Sequence, residues 1–341
     1  MAQDPTLVAA SDHWTQNTPA ANRPHLGGYV RLPLAMLRRH DAPRWDWYAM
    51  YEGSHTPTRV ARAEARLSEH EIDDLDLRGY QSLYVRGSDF QGRSALLLQS
   101  LEAILGDESI PPSDRFMILA RSAAGELDRQ FRPSDCGAYF ELSQRIGALI
   151  ANLVGRLRVT PSDIFTIRTE SEGGSFGAHA LYASAYAVTL ADALGMADDN
   201  NRRQLAIGAL LHDIGERRLP LENFTKSSLS EVERQMIYKH PQIGYEDLLG
   251  RDGIEFAQLM MVYQHHEWVD GHGYPVQILR EEIHPWARVL AVVDEFDSLT
   301  CNRIPQASIT LEDTIKHLSA SSGSQLDKEA VRCWTSLFRR R

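Results

Sequence analysis

The stretch from His212 to Thr300 constrains the fold most, because it places imidazoles and carboxylates inside helical segments that are otherwise apolar. It begins at a His-Asp pair, His212-Asp213, and ends in an apolar segment that carries Asp294. Buried ionisable groups cost free energy unless they are paired or bound to a metal ion. The stretch therefore predicts a helical core built around a metal-binding centre.

Composition and charge limit the class of protein. The 341 residues suffice for two domains, or for one domain with a substantial extension, and the 43% hydrophobic and 24% charged content is ordinary for a globular protein. The net charge of -10 argues against nonspecific binding to a nucleic acid polymer or to an anionic membrane surface. A small anionic ligand stays compatible, because metal ions can invert the local field.

The cysteines and the hydropathy pattern bear on the compartment. Cys136, Cys301 and Cys333 are scattered and odd in number, which favours a reducing compartment without a disulfide framework. We find neither a signal-peptide pattern nor an apolar stretch of membrane-spanning length. We therefore expect a cytoplasmic protein with no membrane partner.

The chain divides into four predicted regions. Residues 1–26 are polar and read as a flexible arm. Residues 27–105 predict a small α/β regulatory module with strands at residues 29–32, 46–51 and 82–85, in which Ser68 and Glu71 form a capping box. Residues 106–173 predict a helical linker, and residues 174–341 predict a domain made almost wholly of helices, so the expected fold class is mainly α. In that domain we expect Gly215 to cap a helix, Ser230 and Glu233 to form a second capping box, and Pro285 to begin a helix.

One helix within the linker region has two interpretations. An apolar stripe recurs at helical spacing between residues 139 and 157, from Phe140 through Ile146, Ile150 and Leu153 to Leu157. The stripe predicts either a helix packed on the domain that follows or a signalling helix that forms a homodimer.

Seven side chains of the helical domain are candidate metal ligands. Adjacent helical residues point about 100° apart, so His212 and Asp213 suit two metal ions with Asp213 between them, and His265 and His266 do likewise. A single histidine of this kind is more often a hydrogen-bonded core residue than a ligand. Seven such groups in one helical region favour a dinuclear site. The candidates are His179, His212, Asp213, His240, His265, His266 and Asp294.

These motifs together resemble the HD-GYP family, a branch of the HD-domain metal phosphohydrolases that degrades cyclic di-GMP. The similarity covers roughly residues 174–338, and the region from Tyr29 to Phe90 resembles, more weakly, a module that often precedes this domain. The motifs that carry the similarity are His212-Asp213, His265-His266-Glu267, Asp270-Gly271-His272-Gly273-Tyr274-Pro275 and Asp294-Glu295-Phe296-Asp297-Ser298-Leu299-Thr300.

The resemblance implies a helical bundle around two or three metal ions, with the seven candidates as ligands and iron or manganese as the metal. Some trinuclear members add a glutamate where this chain has Ser175, so we expect two ions. Gly273-Tyr274-Pro275 would shape the substrate pocket and contact a signalling partner protein, and Arg303 would bind the ligand phosphate. Glu267 and Asp270 would support the ligands and the loop from behind.

The implied reaction is hydrolysis of cyclic di-GMP to linear pGpG and GMP, through a hydroxide that bridges the two ions. Asp213 and Glu216 occupy the catalytic positions of this expectation. Glu216 departs from the family, because a lysine usually follows His-Asp-x-Gly. Gln306 and Trp268 stand at two further positions where the family is usually basic.

These departures leave two alternatives to the phosphodiesterase. A degenerate HD-GYP domain would bind metal and cyclic di-GMP, or a partner protein, without efficient turnover. An HD phosphohydrolase acting on another nucleotide is the third reading, and the Gly-Tyr-Pro motif disfavours it.

Overall fold

The computed structural model describes residues 28–38, 44–50, 57–63, 67–80, 82–91, 101–132, 135–169, 175–220, 230–301 and 309–338. The chain forms two compact units. The first comprises Met1–Ser122 with Glu170–Glu172, and the second comprises Ala123–Thr169 with Gly173–Arg341. The predicted borders at residues 105 and 173 stay predictions.

A four-stranded antiparallel sheet organises the first unit. Strand β1 (Tyr29–Pro33) pairs with β4 (Ser82–Arg86), β4 pairs with β2 (Trp47–Ala49), and β2 pairs with β3 (Thr58–Ala61). The spatial order is therefore β1-β4-β2-β3. The sequence predicted β1, β2 and β4 but missed β3, whose four residues, Thr-Arg-Val-Ala, show only weak alternation.

Short helices complete this unit. Helix α1 (Glu69–Leu77) begins at Ser68, whose hydroxyl accepts from the backbone N–H of Glu71 in the predicted capping box, and it packs on the 3-10 helix Leu34–Arg38. Helices α2 (Gly87–Gln91) and α3 (Leu101–Leu105) follow. The longer α4 (Pro112–Phe131) contains the border between the two units.

The second unit is helical. It contains α5 (Gly137–Ile150) with a π-helical extension (Ala151–Arg156), α6 (Pro161–Thr169), α7 (Phe176–Ala193), α8 (Asp199–Leu211), a 3-10 helix (Ile214–Arg218), α9 (Glu231–Ile237), α10 (His240–Leu248), α11 (Phe256–Gln264), α12 (Pro285–Thr300), α13 (Leu311–Ala320) and α14 (Lys328–Leu337). The predicted class, a mainly α protein with a helical bundle after a small α/β module, is confirmed.

Helix α8 is central to the bundle because it packs against α5, α7 and α11. The apolar stripe of α5 is used within the chain: Ile146 and Ile150 are fully buried, and the Tyr139 hydroxyl donates to the Leu210 carbonyl at 2.9 Å. In the structure, the stripe therefore packs within its own domain. A homodimer through it stays a prediction.

The end of α8 differs from the expectation that Gly215 would cap it. The helix ends at Leu211, His212 is its C-cap, and Gly215 lies in the following 3-10 helix. A Cβ at Gly215 would collide with the backbone carbonyl of His240 and with the amide of Gly244. The glycine thus permits the close approach of α10 rather than a left-handed helix end.

None of the helices in the described ranges is both long and apolar enough to span a bilayer.

Candidate metal centre

The seven candidate ligands come from five helices of the second unit and meet in its interior. His179 lies in the first turn of α7, and His212 and Asp213 follow the end of α8. His240 opens α10, His265 and His266 follow α11, and Asp294 lies in the middle of α12. All except the half-buried His266 are buried.

The side chains form two groups, within each of which the candidate ligand atoms lie within 4.8 Å of one another. The first group contains His179, His212 and Asp294. The second contains Asp213, His240, His265 and His266.

Backbone carbonyls fix the orientation of three imidazoles. The Nδ1 atom of His212 lies 2.7 Å from the Ala209 carbonyl, that of His240 lies 2.8 Å from the Ile237 carbonyl, and that of His265 lies 3.0 Å from the Val262 carbonyl. A carbonyl only accepts, so each Nδ1 carries the proton. Each Nε2 then presents a lone pair to the centre.

These lone pairs converge on one another and on Asp213. The Nε2 atoms of His240 and His265 lie 3.2 Å apart, which brings two lone pairs together and calls for a cation. Asp213 lies between the groups: its Oδ1 is 3.4 Å from His240 Nε2, and its Oδ2 is 3.4 Å from His212 Nε2. Within the described part of the chain, His212 Nε2 has no hydrogen-bond partner despite its burial.

The pKa shifts favour metal ligation by His265, His266 and Asp294 and oppose it at His240. Burial lowers the pKa of His265 and, together with the neighbouring imidazoles, lowers the pKa of His266 well below its ordinary value. Burial opposes ionisation of Asp294, but His179 and His212 outweigh it and hold the pKa of that carboxyl well below its usual range. Burial disfavours the charged form of His240 as well, yet contact with Asp213 leaves the pKa of His240 raised.

Behind His179 lies a buried ion pair that the sequence interpretation did not assign. The Nδ1 atom of His179 is 2.8 Å from Asp297 Oδ2, and Arg168 donates to the same carboxylate through Nε at 2.9 Å and a terminal nitrogen at 3.2 Å. The signal for Asp297 was its spacing of three from Asp294, which puts both carboxylates on one side of α12. Arg168 gave no signal, since it lies far away in sequence.

Glu216 is buried within the 3-10 helix that follows Asp213. Its charge adds a small part to the raised pKa of His240, after burial and Asp213, and to that of Tyr274, after burial, Asp213, Asp294 and Tyr238. The next two residues do not substitute for a lysine at this position, because Arg217 and Arg218 both pair with Asp247. Glu216 itself is absent from both groups of converging ligand atoms among the described residues.

The Gly273-Tyr274-Pro275 loop lies against the second group. Tyr274 stacks on His266, with ring centroids 4.7 Å apart, and on Tyr238, with ring centroids 4.2 Å apart. A Cβ at Gly273 would strike the backbone of residues 266–268, so only glycine allows this approach. Burial, reinforced by the charge of Asp213, raises the pKa of Tyr274 well above its ordinary value and keeps its hydroxyl protonated.

Glu267 and Asp270 both serve the loop. The buried carboxylate of Glu267 accepts from the backbone amides of Val276 at 2.6 Å, Gln277 at 3.0 Å and Ile278 at 3.3 Å. Asp270 accepts from the His272 amide at 3.1 Å. Arg303 and Gln306 lie outside the described residues, and Trp268 is 36% exposed.

A model of the HD domain family matches residues 139–330, which is more than half of the chain. The chain belongs to the HD-domain family, in its HD-GYP branch. It is 32% identical over 203 residues to a Xanthomonas campestris pv. campestris protein named cyclic di-GMP phosphodiesterase response regulator RpfG, over 59% of this chain and 52% of that protein. It is 30% identical over 146 residues to cyclic di-GMP phosphodiesterase PA4108 of Pseudomonas aeruginosa, over 42% of this chain and 35% of that protein.

Two further similarities widen the picture of this HD-GYP domain. A Vibrio cholerae protein named 3'3'-cGAMP-specific phosphodiesterase 2 is 27% identical over 186 residues, covering 53% of this chain and 35% of that protein. The solved structure of Bd1817, an HDG"Y"P protein from Bdellovibrio bacteriovorus, shares the fold with a TM-score of 0.62 at 17% identity, covering 91% of this chain and 99% of that chain. The chain spans about half the length, or less, of these curated relatives.

Proposed function

We propose that this HD-GYP domain is a metal-dependent phosphodiesterase that hydrolyses cyclic di-GMP to linear pGpG, with GMP as the product of a second cleavage. The observation that carries the proposal is the convergence of seven histidine and aspartate side chains into two adjacent groups beneath Tyr274. Relatives named cyclic di-GMP phosphodiesterases support the choice of substrate.

The seven side chains would hold two divalent ions, one in each group. The donors are imidazole nitrogens and carboxylate oxygens without a thiolate, a set that suits iron and manganese. When bound, the ions supply Lewis acidity and a water of lowered pKa for attack on phosphorus. Their positive charge would also compensate the buried Asp213 and Asp294.

Asp213 is the residue that joins the two positions. One carboxylate oxygen faces His240 and His265 at 3.4 and 3.6 Å, and the other faces His212 and His179 at 3.4 and 3.7 Å. Asp213 would therefore offer one carboxylate oxygen to each of the two positions.

Tyr274 and the loop would bind the substrate above the ions. Its protonated hydroxyl is a hydrogen-bond donor for a phosphate or base, and Glu267 keeps the loop in place from behind. Arg303 would add a charge-assisted contact to phosphate. This loop would also bind a signalling protein. The exposed apolar side chains of Val276 and Leu279 support that contact.

A second candidate rests on Glu216. A buried carboxylate beside the centre, where the family usually has a lysine, repels a phosphodiester and disfavours turnover. Under this reading the domain holds metal and cyclic di-GMP as a sensor. The relative named as specific for 3'3'-cGAMP supports testing a second cyclic dinucleotide as the substrate.

The test separates the readings by measuring three quantities on one preparation. Protein loaded with iron or manganese is assayed for metal content, for affinity towards cyclic di-GMP and 3'3'-cGAMP, and for linear product. Metal-dependent production of pGpG supports the phosphodiesterase. Tight binding by loaded protein without product supports the sensor and overturns the phosphodiesterase, and cleavage of 3'3'-cGAMP alone supports the other nucleotide.

A further inference from the structure

The two ligand groups differ in what supports their histidines from behind. His212, His240 and His265 are held by neutral backbone carbonyls. His179 instead places its Nδ1 2.8 Å from the carboxylate of Asp297. Among these contacts, a carboxylate therefore supports a histidine of the first group (His179, His212 and Asp294). Through Nδ1, the supported histidines of the second group contact only neutral carbonyls.

Asp297 is itself held by a matched partner. Both side chains are buried: that of Asp297 is 0% exposed and that of Arg168 is 2% exposed. The guanidinium donates to both carboxylate oxygens, and its carbon lies 4.9 Å from the ring centroid of Tyr182. A buried carboxylate without such a partner would be strongly destabilised. Arg168 thus lets Asp297 stay ionised and fixed beside His179.

Three helices meet in this chain of contacts. Arg168 comes from α6, where Ile164 and Ile167 are buried, Asp297 comes from α12, and His179 comes from α7. Asp297 lies one turn along α12 from Asp294, which is itself 3.0 Å from His179 Nε2. The same imidazole therefore lies between two carboxylates of one helix, with Nε2 towards the centre and Nδ1 away from it.

We propose that Asp297 and Arg168 are positioning residues that set metal affinity at the His179–His212–Asp294 position and leave the Asp213–His240–His265–His266 position unchanged. The inference rests on the proposed metal centre. A carboxylate that accepts from Nδ1–H fixes the ring and makes Nε2 more basic, and losing such a support costs about 10–100-fold in metal affinity. Arg168 acts one step further out, by fixing Asp297 through a planar fork that a lysine cannot reproduce.

The experiment follows uptake of cobalt(II) by metal-free protein, using its visible absorption and the number of ions bound. Wild type should take up two ions per chain in separable steps. Asp297→Asn should weaken one step about 10–100-fold and leave the other unchanged, and Arg168→Lys should weaken the same step by a smaller factor. His179→Ala and His240→Ala assign the steps, because the weakened step must be the one that His179→Ala removes.

The matched control is Asp327→Asn, which removes another buried carboxylate of this unit that two arginines hold. Arg280 and Arg288 donate to Asp327 at 2.8 and 2.9 Å, and Asp327 belongs to neither ligand group. It should bind both ions like wild type. In Asp297→Asn itself, the cobalt-uptake step that stays unchanged shows that the variant is folded.

Three outcomes would overturn the inference: wild-type uptake by Asp297→Asn, equal weakening of both steps, or weakening of the step assigned to His240. Wild type that binds no cobalt overturns the metal proposal together with the inference. Wild type that binds two ions but leaves cyclic di-GMP intact refutes the phosphodiesterase alone, and the cobalt result still decides the role of Asp297.

Discussion

The cluster of seven candidate ligands (His179, His212, Asp213, His240, His265, His266 and Asp294) and a second set of residues, which we call the rim (Glu216, Trp268 and the Gly273-Tyr274-Pro275 loop), differ in how closely they follow the family pattern. The cluster has every ligand type that the HD-GYP resemblance implies, and the described contacts orient four of its five imidazoles. In the rim, Glu216 and Trp268 stand at positions where the HD-GYP resemblance implies basic residues. The capacity to hold metal and the capacity to bind a phosphodiester are therefore separate properties, which substitutions can test one at a time.

Removing a cluster ligand should have the largest effect. His240→Ala deletes an imidazole of the second group, so one ion should be lost and turnover should fall by about 10²–10³-fold or more. Metal analysis and product analysis of the same sample measure both. The control is His317→Ala, whose side chain is 45% exposed and contacts Glu295. Retention of both ions by His240→Ala would contradict the assignment of the second group.

A change at the rim should act on substrate and spare the metal. Glu216→Lys replaces a repulsive carboxylate with a cation, and a charge-assisted contact of about 1.5–3 kcal/mol corresponds to about 10–100-fold tighter binding of cyclic di-GMP. Calorimetric titration measures the affinity. Glu246→Lys, on the exposed side of α10, makes the same change in net charge and should have little effect. Loss of metal from Glu216→Lys would instead identify Glu216 as a ligand.

The loop support should show a smaller effect. Glu267→Gln weakens the acceptor of the amides of residues 276–278, so KM should rise about 10-fold while metal content stays unchanged. Steady-state kinetics and limited proteolysis of the loop measure this. Glu282→Gln is the matched control, since exposed Glu282 accepts from the Leu279 amide at 3.1 Å. An unchanged KM in Glu267→Gln would show that Glu267 does not hold the loop for substrate binding.

The smallest expected effect is on the free energy of unfolding, through Asp327, which belongs to neither ligand group. Burial works against ionisation of Asp327, but amide contacts and two arginines lower its pKa below the ordinary value. A carboxyl with a depressed folded-state pKa stabilises fully above its unfolded value of about 3.9 and loses that contribution as pH falls through the folded value. Asp327→Asn should therefore cost about 2 kcal/mol at pH 7, and less below about pH 4. Urea unfolding across this range measures it, and a cost that does not depend on pH would contradict the ion pair.

The sequence predicted the parts of this molecule that are encoded locally. Capping boxes at Ser68 and Ser230 start helices as expected, and Pro285 begins α12. The pattern of histidines and aspartates in apolar segments predicted seven candidate ligands, and the structure brings these seven side chains together in two groups. Local rules were enough because each ligand lies in or at the end of a strongly periodic helix.

The features that the sequence did not predict depend on contacts between segments that are distant in the chain. Arg168 lies 129 residues from Asp297, so no spacing rule could pair them. Gly215 looked like a helix cap, and only the position of α10 explains it. Arg217 and Arg218 follow Glu216 directly, yet they bind Asp247 rather than face the centre. Side-chain direction at the rim thus required the tertiary structure.

Counting ions and product in one preparation tests whether this chain is a two-metal phosphodiesterase. Protein reconstituted with iron or manganese under anaerobic conditions is analysed for ions per chain and for conversion of cyclic di-GMP, beside His212→Ala. In wild type we expect two ions per chain and metal-dependent formation of pGpG, and in His212→Ala we expect loss of one ion and of pGpG formation. Loaded wild type that forms no more pGpG than His212→Ala would contradict it.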